Sequence, residues 1–245
     1  MQNNEITIVI NTFNSEDKIF SCINSIGPDY KILIIENSDN NKFKQNIENQ
    51  YSNAQCTLTG NNLGYAKGNN LGLSKVTTKY ALILNPDATL EKNTINNFFL
   101  EEKKKPDFAI FGPAKQDEKQ VDNLRDDLFE VKNLKGFAMF LNLKEFSEIG
   151  FFDDNFFIYF EEIDLCRRLK QSNKKIYLDP KIKINHIGGS SHNQDINFVR
   201  NYEANTGNYG MLKPSDLCSY VSFLLSNESK FINGQNIILD DGFTL

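Results

Sequence analysis

The chain has 245 residues, is 40% hydrophobic and 24% charged, and carries a formal net charge of −5. That length supports one large domain, or one domain with an appendage, around a core that needs no disulfide or zinc staples. The composition argues against a disordered chain and the acidic balance against a nucleic-acid surface, while a phosphorylated substrate stays open because a bound metal supplies its own positive field. The four cysteines, Cys22, Cys56, Cys166 and Cys218, include no pair at Cys-x-x-Cys spacing. They read as reduced thiols of a cytoplasmic protein. No basic segment followed by an apolar one precedes Ile6, so no signal peptide is expected. The longest apolar runs, such as that from Tyr220 to Leu225, are too short to span a bilayer, so any membrane contact is expected to be peripheral.

Through the first half, apolar β-rich runs alternate with helical stretches. Strands are predicted at Ile6–Ile10, Lys31–Ile35, Gln55–Thr59 and Tyr80–Leu84. Helices are predicted at Ser15–Ile26 (capped by Asn14 or Ser15), Lys42–Tyr51 and Tyr65–Lys75. Runs that are apolar throughout, such as Ile32-Leu33-Ile34-Ile35, point to strands covered on both faces. The alternation predicts an α/β fold with a mostly parallel sheet flanked by helices and right-handed crossovers. Further on, a strand is predicted at Phe137–Leu141, a helix starting at Glu161, and two short strands at Lys175–Leu178 and Lys181–Asn185. In such sheets ligands bind beyond the carboxyl ends of the strands, which is where chemistry is to be sought.

Asp87 follows the fourth strand after Asn85-Pro86. A carboxylate at that point can hold Mg²⁺ or Mn²⁺ bridging a diphosphate, or it can be an ordinary turn aspartate. Glu161, Glu162 and Asp164 gather carboxylates in one short span. They read as acids suited to a helix N-terminus, with Asp164–Arg168 an i,i+4 pair, or as a general base whose pKa is raised by burial against the aromatic run Phe156-Phe157-Ile158-Tyr159-Phe160. His186, one of only two histidines, can complete a metal site begun by Asp87 or can simply bond backbone at a strand end. Gly188-Gly189 after it suits close backbone approach. Glu36, at the end of the second strand, can accept from the N3–H of a uracil or thymine ring or can be a solvated acid.

Taken together these stretches resemble glycosyltransferase family 2, especially its rhamnosyltransferase-like bacterial members. The likeness runs from about Ile6 to Ser191. It is carried by Ile10-Asn11-Thr12-Phe13-Asn14, Ile35-Glu36-Asn37-Ser38, the distinctive stretch from Asn61 to Gly72, Leu84-Asn85-Pro86-Asp87, Gly150-Phe151-Phe152-Asp153, the stretch from Tyr159 to Arg168, and His186-Ile187-Gly188-Gly189-Ser190. The resemblance implies a GT-A fold, a nucleoside-diphosphate-sugar donor such as dTDP-rhamnose, and a divalent cation, Mg²⁺ or Mn²⁺. It implies a glycan or lipid-linked acceptor, bacterial surface polysaccharide synthesis and a place in the cytoplasm or at the inner face of the membrane. Carried over by position, Thr12, Asn14, Glu36, Asn62, Gly64, Lys67, Asn69, Asn85 and Asp87 would bind the donor, and Asp87 and His186 the metal. Asn85 stands where the family's metal motif often has its first acid, which would weaken metal affinity. Glu162 falls at the family's base position, with Glu161 and Asp164 the other candidates. The implied reaction is a single inverting displacement.

After about Tyr209 the character changes. The stretch from Met211 to Phe243 resembles the C-terminal helix and last strand of short-chain dehydrogenase/reductases. The expected division is therefore 1–209 for the transferase and 210–245 for a fragment lacking a catalytic core. An NAD(P)-dependent dehydrogenase is the rival reading, and a non-catalytic sugar-nucleotide binder a third, supported by Asn85 alone. Against the rival, the glycine-containing loop at Gly60–Gly64 follows the third strand rather than the first. Pro180 also breaks the helix that Tyr177 and Lys181 would need to share a face.

Overall fold

The computed structural model describes residues 2–115, 127–186 and 222–223. The chain divides into two compact units, Met1–Ile187 and Gly188–Leu245. In the first, β1 (Ile6–Thr12), α1 (Glu16–Ile26), β2 (Lys31–Glu36), α2 (Asn41–Gln50), β3 (Ala54–Leu58), α3 (Gly64–Leu73) and β4 (Tyr80–Leu84) alternate as expected, with ends shifted by a residue or two. They are followed by β5 (Ala88–Leu90), α4 (Thr94–Lys104), β6 (Phe108–Lys115), β7 (Phe129–Glu130), β8 (Ala138–Asn142), α5 (Glu161–Gln171) and β9 (Lys175–His186). The strands form one sheet in the order β3-β2-β1-β4-β8-β6-β9-β5, with β7 on β9.

The sheet has two characters. From β3 to β4 neighbours are parallel, each crossover carrying a helix. Beyond β4 the sheet is mixed: β8 runs antiparallel to β4 and β6, β6 and β9 are parallel, and β5 is antiparallel to β9. Alternation along each strand splits the core in two. Ile6, Ile8 and Ile10 of β1 and Leu82 and Leu84 of β4 face α1, α2 and α4, while Val9, Ala81 and Ile83 face α3 and α5. Covered on both faces, β4 and the middle of β2 (Ile32–Ile35) are apolar throughout, while β1 buries the polar Thr7 and β3 leaves Gln55 exposed. Helix α1 buries Ile19, Cys22, Ile23 and Ile26, the stripe of an amphipathic helix. Cys22, Cys56 and Cys166 are buried free thiols.

Several elements differ from expectation. Ser15 occupies the cap of α1, but its hydroxyl donates to the Phe13 carbonyl and makes no side-chain cap, while Asn14 lies just outside with a left-handed φ of 50°. The two short strands of the sequence reading are one strand, β9. Its pairing with β6 shifts register between Pro113 and Ala114, and this bulge takes up Pro180, where a ladder donor is missing. Tyr177 and Lys181 thus lie on a strand, and the dehydrogenase spacing builds no helical site. The tail segments from Met211 to Phe243 and Gly188-Gly189 lie outside the described residues, apart from Ser222 and Phe223, which are helical and exposed.

Candidate functional site

The carboxyl ends of β1, β2 and β4 meet at one edge of the sheet. Thr12 pairs with Glu36 in register, and the Asn37 N–H donates to the Thr12 carbonyl at 2.8 Å. The Glu36 backbone carbonyl accepts from the Thr59 N–H at 3.1 Å, and its buried carboxylate accepts from the Ser38 hydroxyl at 2.6 Å. Burial pushes its pKa up, and the Ser38 bond only partly offsets this. Thr12 Oγ1 is buried without a hydrogen-bond partner among the described residues, at the same strand ends.

At the end of β4 the chain turns through Asn85-Pro86-Asp87 into β5. Because β5 runs antiparallel to β9 with Ala88 opposite His186, the imidazole is delivered to the turn. His186 Nε2 lies 3.2 Å from Asp87 Oδ1 and 3.5 Å from Asn85 Nδ2, and its ring stacks on Phe137 at 4.7 Å between centroids. The Phe137 carbonyl accepts from the Asn85 N–H at 2.8 Å, which ties this turn to the start of β8.

Helix α5 brings the acids to the other side of that junction. Glu161 is buried, with Oε2 unpartnered among the described residues, and burial outweighs a bond from its own backbone N–H to raise its pKa. Glu162 is half-buried beside Gly136: a Cβ placed at Gly136 would stand 3.8 Å from Glu162 Cβ and 3.2 Å from the Tyr65 hydroxyl. Asp164 is engaged on both oxygens, by Arg167 at 2.9 Å and Arg168 at 2.7 Å. Burial works to raise its pKa, but the two guanidiniums prevail and hold it low.

The expected source of base activation is corrected here. The aromatic run does not bury the acids: Phe157 is 55% exposed, Tyr159 59% and Phe160 66%. Tyr159 and Phe160 both adopt left-handed φ near 70°, and both rings reach solvent. What raises a carboxyl in this cluster is Glu161's own burial at the first turn of α5.

The remaining candidates fall around α3. Asn62 and Lys67 are exposed, and Asn62 Oδ1 accepts from the Gly64 N–H at 2.9 Å. Gly64 has φ 79°, and a Cβ there would lie 2.3 Å from the Phe157 carbonyl oxygen. Asn69 is fully buried and donates to the Tyr65 carbonyl at 3.0 Å. The sequence reading gave no role to Asn11, Asn37, Tyr65 or Asn70. Asn37 donates to Asn11 Oδ1 at 2.7 Å, and Asn11 donates to the carbonyls of Gly64 and Tyr65. The signal available was amides at strand ends beside a helix rich in glycine.

Asp87 and His186 beside this strand-end turn form an O,N donor pair that could hold a divalent cation. No group of three or more His, Cys, Asp or Glu side chains gathers around a metal-sized site among the described residues.

A family model for glycosyl transferase family 2 matches residues 7–167, and the chain belongs to that family. The chain is 23% identical over 203 residues to the low-salt glycan biosynthesis hexosyltransferase Agl10 of Haloferax volcanii, covering 70% of this chain and 64% of that one. It is 22% identical over 220 residues to rhamnosyltransferase WbbL of Escherichia coli K12, covering 74% and 83%. Among solved structures it is similar to the mannosyltransferase PcManGT from Pyrobaculum calidifontis, in complex with GDP-Man and Mn²⁺. There the TM-score is 0.64 at 12% identity, over 80% of this chain and 61% of that one. The fold is thus of the GT-A type. The chain spans about 64% of the length of Agl10. No helix among the described residues is long and apolar enough to cross a membrane.

Proposed function

We propose that the chain is an inverting glycosyltransferase that moves a sugar from a nucleoside-diphosphate donor to a hydroxyl of a glycan or lipid-linked acceptor. The observation that carries this reading is the Asp87–His186 pair beside the start of α5, joined to it through Gly136-Phe137. Similarity to WbbL makes dTDP-rhamnose the first donor to try, and a lipid-linked acceptor would bring the protein to the cytoplasmic face of a membrane as a peripheral partner.

Glu36 and the strand ends at Thr12 and Asn14 would receive the nucleoside, with Asn62, Gly64 and Lys67 around the start of α3 and Asn85 beside the diphosphate; Asn69, fully buried on the Tyr65 carbonyl, would act only by shaping that helix. Asp87 and His186 would hold a divalent cation, Mn²⁺ or Mg²⁺, which would supply positive charge against the departing diphosphate. Of the three acids, Glu162 is assigned as base: Asp164 is neutralised by two arginines, and Glu161 is buried. The Glu162 carboxylate takes the proton of the acceptor hydroxyl as that oxygen bonds to the anomeric carbon. The bond from that carbon to the diphosphate oxygen breaks, the nucleoside diphosphate leaves with the electron pair, and the anomeric configuration inverts.

The test is transfer and hydrolysis over a panel of UDP-, dTDP- and GDP-sugars with and without Mn²⁺. Turnover of one donor class that depends on the cation is expected. Absence of donor binding across the panel, or binding of NAD(P)H instead, would overturn the reading.

A further inference from the structure

Helix α3 makes a set of contacts that donor binding alone does not require. Asn70 turns its amide onto the backbone of the loop before α5: its Nδ2 donates to the Phe152 carbonyl at 2.8 Å, its Oδ1 accepts from the Phe152 N–H at 3.1 Å, and Nδ2 also reaches Asp154 Oδ1 at 2.7 Å. One turn earlier, the Tyr65 N–H donates to the Phe157 carbonyl at 2.7 Å. The Tyr65 hydroxyl donates to the Gly136 carbonyl at 2.5 Å, and its ring meets Phe152 edge-on at 5.7 Å. Both ends of the segment 152–157 are thereby fastened to one helix. A free helix N-terminus leaves its first N–H groups unsatisfied. Here the Phe157 carbonyl satisfies one of them, and that carbonyl lies four residues before Glu161.

The same helix is fastened on its other side to the strand ends, through the Asn11 amide on the Gly64 and Tyr65 carbonyls and Asn37 on Asn11. Gly68 admits the Asn11 side chain so closely that a Cβ there would stand 2.3 Å from Asn11 Oδ1. Tyr159 and Phe160, immediately before the acids, carry left-handed backbones that are unfavourable for non-glycine residues.

We infer that Tyr65 and Asn70 are positioning residues: the Asn70 amide fixes the segment 152–157 that leads into α5, and the Tyr65 hydroxyl fixes Gly136, which lies against Glu162 of that helix, relative to the strand ends that would receive the donor. The inference rests on the transferase reading for its effect on turnover, but not for the tether itself. A displacement of about 1 Å at a reacting group can cost on the order of 10²-fold in rate, so a loosened segment should lower turnover without weakening the donor.

Two variants test it. Tyr65→Phe removes only the hydroxyl donor to Gly136. Asn70→Asp keeps the size but loses both amide donors and sets a second carboxylate against Asp154. Expected for each is a kcat about 10- to 100-fold lower, with the Kd for the nucleoside diphosphate in Mn²⁺ changed less than about twofold. Amide exchange at Tyr65, read on the full chain without any turnover, should quicken in Asn70→Asp. Unchanged exchange would overturn the tether, and loss of donor affinity in proportion to kcat would overturn the positioning role. A wild-type chain that binds no nucleoside diphosphate would instead sink the transferase reading, and the exchange result would still decide the tether.

Discussion

His186 Nε2 stands 3.2 Å from Asp87 Oδ1 because an antiparallel pair of strands, β5 and β9, sets Ala88 opposite His186. As metal ligands, a carboxylate brings a negative charge and an imidazole does not, so the two substitutions should differ in degree. Asp87→Ala is expected to remove most Mn²⁺-dependent nucleotide binding, and His186→Ala to weaken it by more than about tenfold, roughly 1.4 kcal/mol. Calorimetry with a nucleoside diphosphate, with Mn²⁺ and with EDTA, reads both. Unchanged affinity in Asp87→Ala would remove the metal assignment.

The acids of α5 separate by environment. Glu162→Gln should keep donor binding and lower turnover about 10²- to 10⁴-fold, the scale of general base catalysis. Activity retained in Glu162→Gln but lost in Glu161→Gln would move the base by one residue. Glu161 also carries a stability signature. Its pKa is raised in the fold, so its favourable contribution is present below the ordinary glutamate pKa and is lost as pH rises through the raised value. Glu161→Gln, which cannot ionise, should therefore melt above wild type at neutral pH, the difference vanishing in acid. A lower melting temperature at both pH values would show that the carboxylate has a partner that amide cannot replace.

Much of this was legible in the residues, for particular reasons. The strands from β1 to β4 announce themselves as apolar-rich runs, most clearly Ile32–Ile35 and Tyr80–Leu84, which are buried on both faces. The strand-end positions of Glu36 and Asp87 then follow from parallel topology. That His186 joins Asp87 was one of two readings of the residues, the other being a strand-end histidine bonded to backbone, since no local pattern encodes the pairing of β5 with β9. Helix α4 and strand β6 were not anticipated. The exposed Leu100 and the lysines at the end of α4 blur its stripe, and Gly112-Pro113 interrupt β6. The aromatic run misled because apolar residues imply burial, whereas the left-handed backbone at Tyr159 and Phe160 presents them outward. Asn70 escaped because an amide gripping a distant backbone leaves no periodic trace.

The tail is open to a direct experiment. The family match ends at residue 167 and the first compact unit at Ile187, and every residue assigned to donor, metal or base lies within that unit. We predict that truncation after Tyr209 leaves donor binding intact, and that the full chain binds no NAD(P)H despite its dehydrogenase-like sequence from Met211 to Phe243. Loss of donor binding on truncation, or fluorescence-detected binding of NADPH, would make the tail part of the working enzyme.

Asp164 supplies the last prediction, one in which stability and catalysis part company. Its carboxylate bridges Arg167 and Arg168, and Arg168 also donates to the carbonyls of Ile149 at 3.1 Å and Phe151 at 2.5 Å. The ion pair thus pins the turn before the acid-bearing helix. Arg167 is 66% exposed in its side chain, so water screens that arm, and most of the effect belongs to Arg168 at 24%. Asp164→Asn keeps the shape and removes the charge, and should destabilise the fold by about 1.5–3 kcal/mol at neutral pH, the range for hydrogen bonds to charged groups. The sign with pH follows from the lowered pKa: the contribution is present above the ordinary aspartate value of about 4 and is lost as pH falls through the lowered one. Urea unfolding of both proteins between neutral and acid pH should therefore show a gap that closes in acid. Turnover of the folded fraction should fall far less than in Glu162→Gln. A gap that persists unchanged in acid would mean that the charge contributes nothing. Turnover abolished with stability intact would return Asp164 to the chemistry.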